Sequence, residues 1–542
     1  MVMFTLSLPV LLGLIGLAID RTILFVVEAK LSAAVDGAAL GAGRLLGTTA
    51  NTTEIAGEFL KADFCGYECS TTGPTGVWGS YNLTPNITFT NNLGTYTISI
   101  SASVTVPLLF LRTVPALVPQ TTTTVYANAT ATRRAVRTVM VLDRSGSMAG
   151  APFTAMQSGA ESFASYFLPG TDEVGLVMLE ASAIVAYPTT YPLTYPPTMT
   201  TGGPDTSFDT SSTAGPVMTA LQTMTAGGGT GTSEALSLAY IGLQQAHNRD
   251  LAANGVDNML NSILLFTDGV PDTIAISPNS NTVYNIATNS WLSTSAVIGS
   301  SSTCKYQNVS LQTNPADAMM GTIAAPGNAG SWSTPLGLFL LSGYYTANGN
   351  TTLSNWEANP GNGSIGSGDL TNSQPSAALT NCGSGNLQSS GGGGFSLGAL
   401  KSVPDYTIYG VSTGSTSNAY QYATLDQPNG TSTTPYSGVT YNPSSLTNVN
   451  TVPIAAWNAV DNLGNTIRSQ TAMNSITIYT IGYSGDGGVD AAVLNRLANT
   501  AAAPPSGSNS SQPIGQYVQV NSTTDLASAF QLIASYILHL SK

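Results

Sequence analysis

Residues 139–147, VMVLDRSGS, carry an apolar run into an acid and then into two hydroxyls spaced two apart: Asp143, Ser145 and Ser147. Two further oxygen side chains stand in comparable places. Thr230 lies in 226-AGGGTGTSEAL-236, a glycine-rich loop that opens a helical stretch, and Asp268 closes the apolar run 262-SILLFTD-268. Together they supply two carboxylates and three hydroxyls, with no sulfur and no imidazole. Hard oxygen donors of low total charge suit Mg2+ or Mn2+, and less selectively Ca2+. A cation held mostly by neutral hydroxyls keeps much of its Lewis acidity and can recruit a carboxylate from outside. The alternation after Asp143 turns both serines toward one ion, so the chemistry expected is metal-bridged binding.

Other chemistries fit these residues less well. The glycine run 227–229 lacks the Lys followed by Ser or Thr that a phosphate loop requires. Only two histidines are present, His247 and His539. His247 is expected near the end of an exposed helix, where the helix dipole favours a cation. With both histidines peripheral, no Ser-His-Asp or Cys-His set is available. Two-metal hydrolysis would need more carboxylates near 143 and 268. The expectation is a protein that is not an enzyme.

The elements that must hold these residues follow from periodicity. From Arg137 on, apolar strands alternate with amphipathic helices. Strands are expected over 137–143, 172–181, about 182–188 and 262–268, then over 475–483 and 516–521. Helices are expected near 152–167, 213–224, 233–246, 455–470, 489–499 and 523–540. In the last of these Leu526, Phe530, Ile533 and Ile537 form one apolar face. Alternating β and α elements with fully apolar central strands predict an α/β fold, a doubly wound and mostly parallel sheet covered by helices on both sides. Such sheets bind ligands at the carboxyl ends of their strands, where Asp143 and Asp268 fall. Residues 48–134 differ, with Thr-, Val- and Ile-rich alternating stretches at 85–92, 95–111 and 121–131 that predict a small β-rich domain.

Residues 273–454 interrupt the α/β pattern. They are rich in Gly, Ser, Asn and Thr, yet hold three of the five tryptophans (Trp291, Trp332, Trp356) and two of the four cysteines (Cys304, Cys382). Disordered segments are poor in both, so the stretch is expected to be an irregular but folded insertion. The expected organisation is a helix over 1–47, the β-rich domain over 48–134, the α/β domain over 135–272 and 455–542, and the insertion between its two parts.

With 15 Lys and Arg against 28 Asp and Glu, the net charge of −13 leaves no basic stripe for phosphates, and nucleic acid is not an expected partner. The cysteines, Cys65, Cys69, Cys304 and Cys382, fit two disulfides in an oxidising compartment, with free thiols as the alternative. Val2–Ile19 carries no charge and is just long enough to cross a bilayer core. A cleaved signal peptide is the rival, but the helical pattern runs on through Asp20 and Arg21 without a break. The expectation is a single-pass membrane anchor with the bulk of the chain outside the cytoplasm. Leu24, Val27, Leu31, Val35 and Ala38 then form an apolar stripe for a partner or for the domain that follows.

D-x-S-x-S at 143–147, Thr230 in its glycine-rich loop and T-D-G at 267–269 resemble, in order and in placement, the metal-ion-dependent adhesion site of the von Willebrand factor A domain. The resemblance covers 135–272 and 455–542. It implies that Ser145, Ser147 and Thr230 touch the metal directly, with Asp143 and Asp268 partly through water. The N-terminal stretch resembles the pilin-like start of TadG-type proteins of the Flp (Tad) pilus assembly system, through Leu31, Ala33, Ala34, Asp36, Ala38, Ala39 and Leu40 after the apolar helix. The combined resemblance implies a membrane-anchored protein associated with pilus assembly, binding a carboxylate-bearing protein partner or a surface through the metal. An envelope adhesin or scaffold unrelated to pili is the alternative.

Overall fold

In the computed structural model of the chain, residues 2–47, 51–65, 75–76, 79–80, 82–110, 121–179, 183–188, 208, 215–224, 226, 230–276, 282–288, 290–293, 321–324, 336–338, 388–389, 395–396, 403–414, 451–485, 488–503 and 507–540 are described. They form two compact units, 1–135 with 540–542, and 136–539.

In the first unit, helix α1 (Val2–Gly43) and helix α2 (Thr52–Cys65) precede an antiparallel sheet in the order β1 (Asn82–Asn92), β2 (Thr95–Pro107), β3 (Thr122–Arg134). The apolar stripe of α1 is buried on this sheet. Val27, Leu31, Val35 and Ala38 lie in one core with every second residue of β2, Ile98, Ile100, Ala102, Val104 and Val106. The stripe expected to meet either a partner or the next domain thus meets the β-rich segment. Asp20, also buried, accepts the backbone N–H of Leu109 at 2.9 Å.

Helix α2 is absent from the β-rich reading of 48–134. Its signals are local: Asn51 Oδ1 accepts the Glu54 amide and Asn51 Nδ2 donates to Glu54 Oε2, a reciprocal cap. Ala56, Leu60 and Phe64 then recur at four-residue spacing on the buried side. Cys65 is disulfide-bonded, while Cys69, Cys304 and Cys382 lie outside the described residues. Among the described residues no helix is long and apolar enough to cross a membrane. The span expected at Val2–Ile19 falls largely on side chains, those of residues 2–13, outside the described ones.

The second unit holds a six-stranded sheet. Its strands in chain order are β4 (Val136–Asp143), β5 (Glu173–Leu179), β6 (Ala183–Tyr187), β7 (Leu260–Thr267), β9 (Ile476–Tyr483) and β10 (Tyr517–Val520). Across the sheet the order is β10-β9-β7-β4-β5-β6, parallel throughout except for the antiparallel edge strand β6. The doubly wound, mostly parallel α/β sheet read from the sequence is the observed one.

Alternate residues of the central strands feed two cores. Val139 and Val141 of β4, Ile263 and Leu265 of β7 and Ile478 of β9 pack with helices α5 (Thr232–Asn254), α6 (Thr451–Arg468) and α7 (Ala491–Leu497). Met140 and Leu142, Leu264 and Phe266, and Ile481 pack on the other face with helices α3 (Ala151–Ser165), α4 (Pro216–Thr223) and α8 (Leu526–Leu540). A strand covered on both faces reads as a near-continuous apolar run, which is why residues 139–142 of β4 and 263–266 of β7 show no alternation in sequence.

Described pieces of the insertion join the first of these cores. A short strand, β8 (Thr273–Ile276), pairs antiparallel with Gly321–Ala324, and Ala275, Ile286, Ile408 and Tyr409 are buried there. Trp332, Trp356 and the side chain of Trp291 lie outside the described residues.

Candidate metal centre

Parallel pairing of β4 with β7 ends at Leu142 opposite Phe266, so the next residues, Asp143 and Thr267, emerge side by side, with Asp268 directly after. This register is what brings together two acids 125 positions apart in the chain. Beyond Asp143 the chain makes a tight turn at Gly146–Met148, with the Met148 amide donating to Ser145 O at 3.1 Å. Met148 is fully buried under the sheet and anchors the turn, so that the two serines are held at the sheet edge.

Ser145 Oγ and Ser147 Oγ lie 3.0 Å apart, and they approach Asp268 Oδ1 at 3.2 and 2.9 Å. Asp143 turns inward. Its Oδ1 accepts the Ser145 amide at 2.8 Å and its Oδ2 accepts the Thr267 hydroxyl at 2.5 Å. The Asp143 carboxyl is pushed up to about 8, first by burial and then by the charge of Asp268, against the hydrogen bonds from Thr267 and Ser145.

Thr230 is brought to the same edge by a separate device. Its amide donates to Asp272 Oδ1 at 2.7 Å and its carbonyl accepts the Asp272 amide at 3.2 Å, a two-bond clamp between the glycine-rich loop and the segment after β7. Its hydroxyl sits against Gly269, where an added Cβ would lie 2.7 Å from Thr230 Oγ1. Asp272 is itself pushed up to about 6 by burial, with the Thr230 amide pulling the other way.

All five residues selected from the sequence therefore stand at the carboxyl edge of the sheet. Asp143, Ser145, Ser147 and Asp268 are joined by hydrogen bonds, and Thr230 lies beside Gly269. The sequence reading includes Thr267 and Gly269 only as parts of T-D-G, and three roles appear first in the structure: Thr267 holds Asp143, Asp272 holds Thr230, and the missing side chain of Gly269 leaves room for the Thr230 hydroxyl. The signal for Asp272 was present in 268-DGVPD-272, an acid placed after a proline turn, but no spacing rule ties it to residue 230. The glycines 227–229 lie outside the described residues.

The donor set fits a hard divalent cation. Two carboxylates repel each other in a buried place, and two serine hydroxyls converge on an oxygen of one of them. Among the described residues no group of three or more His, Cys, Asp or Glu is placed to hold a metal. What is assembled here is instead hydroxyl-rich, with only two acids. Ser145, Ser147 and Thr230 would hold the ion, with Asp143 and Asp268 supplying charge.

The expectation for His247 is corrected. Helix α5 runs on to Asn254, and His247 is buried inside it, with Nδ1 2.8 Å from Asp257 Oδ2. Asp257 also faces Arg137, a fully buried guanidinium that pairs with Glu173 and Asp250 as well. This charge cluster gathers at the amino ends of β4, β5 and β7, the opposite edge of the sheet from the serines. An unbalanced cation there would be costly, and three acids around Arg137 offset its burial.

The chain matches no family model and no curated protein. Solved structures similar to it include the pilus adhesin SpaC from Lactobacillus rhamnosus GG, at 11% identity over 86% of this chain and 34% of that one, TM-score 0.32. The PilB minor pilin from Streptococcus sanguinis aligns at 11% identity over 85% of this chain and 79% of that one, TM-score 0.31. The von Willebrand factor domain of a type V pili tip protein from Porphyromonas gingivalis aligns at 15% identity over 76% and 97%, TM-score 0.29. The chain thus spans about a third of the length of the Lactobacillus adhesin.

Proposed function

We propose that the second unit is a von Willebrand A-type binding domain that takes a carboxylate of a protein partner onto a divalent cation, Mg2+ in the first instance. The observation that carries this reading is the convergence of Ser145 and Ser147 on Asp268, beside Asp143 and Thr230, at the carboxyl ends of adjacent parallel strands. Bound there, the ion supplies a Lewis-acidic site open to an oxygen ligand from outside. The chain's own residues set its strength. Serine and threonine hydroxyls leave the total negative charge low, while Thr267 and the Ser145 amide hold Asp143 in one orientation. The role is binding, without catalysis.

The association with pilus assembly of the Tad type rests on the N-terminal residues Leu31, Ala33, Ala34, Asp36, Ala38, Ala39 and Leu40, and anchorage in the cell membrane on the uncharged stretch Val2–Ile19. In this reading the membrane holds the first part of α1 and the remainder of the chain is extracytoplasmic. The test is a pull-down of envelope proteins by the full chain in Mg2+, in EDTA, and with Ser147→Ala. The reading expects pilus-system components held in Mg2+ and lost in both other conditions. If the same proteins are retained in all three, the site is not the binding surface.

A further inference from the structure

Away from the serines, the second unit contains a cavity of about 450 Å3 between α6, the loop after α7 and the inserted segments around 285–287 and 406–412. Its size lies in the range of small-molecule sites. The lining is unusual for this chain. Among the described residues that line it, Arg468 and Arg496 face a single carboxylate, Asp461, in a protein of net charge −13. Asp461 is fully engaged by Arg496, which reaches its two oxygens at 2.6 and 2.8 Å. Arg468 is the surplus cation. It is buried, and it gives Nη1 to Leu497 O at 2.7 Å and Nε to Gln512 Oε1 at 3.0 Å. A guanidinium has five N–H donors, so three of them remain for a ligand.

The cationic charge of Arg468 is under-compensated. Burial lowers its pKa, Asp461 raises it and Arg496 lowers it again, leaving it at about 10. An anion in the cavity would supply what the protein does not. Around this charge the walls include several amides, the half-buried ring of Tyr406 and the buried ring of Tyr409. Asn462 and Asn465 line the cavity from α6, with Tyr406 on the inserted loop. Asn462 Nδ2 is spent on Ser412 O at 2.9 Å, which leaves its carbonyl oxygen as an acceptor, whereas Asn465 spends its oxygen on Gln512 Nε2 at 2.6 Å and keeps its donors.

The walls are held in place before any ligand arrives. Asn499, in the left-handed region at φ 55°, accepts the Asn509 amide at 2.6 Å and donates to the carbonyls of Asn509 and Pro513, closing the loop after α7. Gly464 lets α7 approach α6, since a Cβ there would lie 2.6 Å from Leu497 Cδ2. A preformed polar site loses little ordering entropy on binding.

We infer that this cavity binds an acidic saccharide, its carboxylate on Arg468, its hydroxyls on the amides of Asn462 and Asn465, and its ring against Tyr406. Alternating donors and acceptors beside an aromatic ring suit vicinal hydroxyls and a C–H face, and the surplus guanidinium selects a charged sugar over a neutral one. The inference is independent of the metal reading, because none of these residues belongs to the edge that carries Asp143 and Asp268.

The experiment is calorimetric titration of the full-length chain with sodium glucuronate, glucose, acetate and inorganic phosphate in turn. Glucuronate is expected to bind at least about tenfold more tightly than each of the other three, a step of about 1.4 kcal/mol. Arg468→Gln should bring glucuronate down to the level of glucose, Tyr406→Ala should weaken it, and Ser147→Ala should leave it unchanged. The inference is overturned if glucuronate binds no better than glucose, if phosphate binds as tightly, if no heat is seen, or if Ser147→Ala abolishes the signal. Should Arg468→Gln fail to fold, Tyr406→Ala decides alone, and unchanged glucuronate binding in that variant overturns it equally.

Discussion

Gly269→Ala places one methyl group where the structure has room for none. The new Cβ would stand 2.7 Å from Thr230 Oγ1, and ordinary contact begins at 3.4 Å, so the hydroxyl must give way by 3.4 − 2.7 = 0.7 Å. Metal sites tolerate displacements of about 0.5 Å before their geometry fails. Thr230 cannot follow by moving its backbone, because Asp272 clamps both its amide and its carbonyl. The loss expected is that of a disturbed residue behind a ligand, about 10–100-fold in metal affinity.

The assay is calorimetric titration with Mn2+ of the wild type, Gly269→Ala, Thr230→Ala and the double variant, with thermal unfolding in EDTA as the control for folding. If the methyl acts through Thr230, the double variant binds no more weakly than Thr230→Ala alone. Wild-type affinity in Gly269→Ala would refute the reasoning. So would a full additional loss in the Thr230→Ala background, since the methyl would then be acting on something other than the threonine.

Thr267→Val keeps the shape of the β7 terminus but removes the donor to Asp143 Oδ2, and Mn2+ affinity should fall by about tenfold or more, as loss of a hydrogen bond to a charged group implies; unchanged affinity would mean that Asp143 needs no such support. Phe530→Ala should cost about 3–5 kcal/mol in urea unfolding, because the ring stacks on Phe266 at 5.7 Å and meets Phe163 edge-on at 6.2 Å. Gly159→Ala, whose Cβ would lie 2.5 Å from the same ring, should cost about 1–3 kcal/mol by overpacking, and a stabilised variant would contradict this packing. Asp257 is held below the usual carboxylate range: burial alone would raise it, but the His247 hydrogen bond, the Arg137 charge and the Met259 amide outweigh burial. Its contribution is therefore complete above about pH 4 and is lost as pH falls through the lowered value. The stability gap between wild type and Asp257→Asn, followed by urea unfolding, should close with acid, and a gap that stays constant down to pH 3 would refute the assignment.

The legibility of this chain follows from how local each signal is. Strands β4 and β7 were readable because a strand covered on both faces leaves an unbroken apolar run, and α8 because its stripe of Leu526, Phe530, Ile533 and Ile537 repeats within one element. Helix α2 is hidden in a β-rich reading although Asn51 and Glu54 announce it, because the threonine-rich strands that follow it set the reading of the whole segment. His247 was misplaced for the opposite reason. Its sequence neighbours Asn248 and Arg249 look exposed, and only its contact with Asp257, after the end of the helix, draws it inside.

The sequence by itself determined the donor types, their order along the chain and the element each one ends, since an acid or hydroxyl that closes an apolar run has few places to go but a strand end. It also determined the doubly wound sheet, through the alternation of apolar runs and amphipathic helices. Tertiary structure alone decided what touches what. The register of β4 against β7 puts Asp143 and Thr267 side by side, the Asp272 clamp brings Thr230 within reach, and the packing of α7 on α6 opens a cavity whose charge sums to a surplus arginine. Such facts depend on distances between residues tens to hundreds of positions apart, and a linear pattern carries no distance beyond its own helix turn or strand pleat.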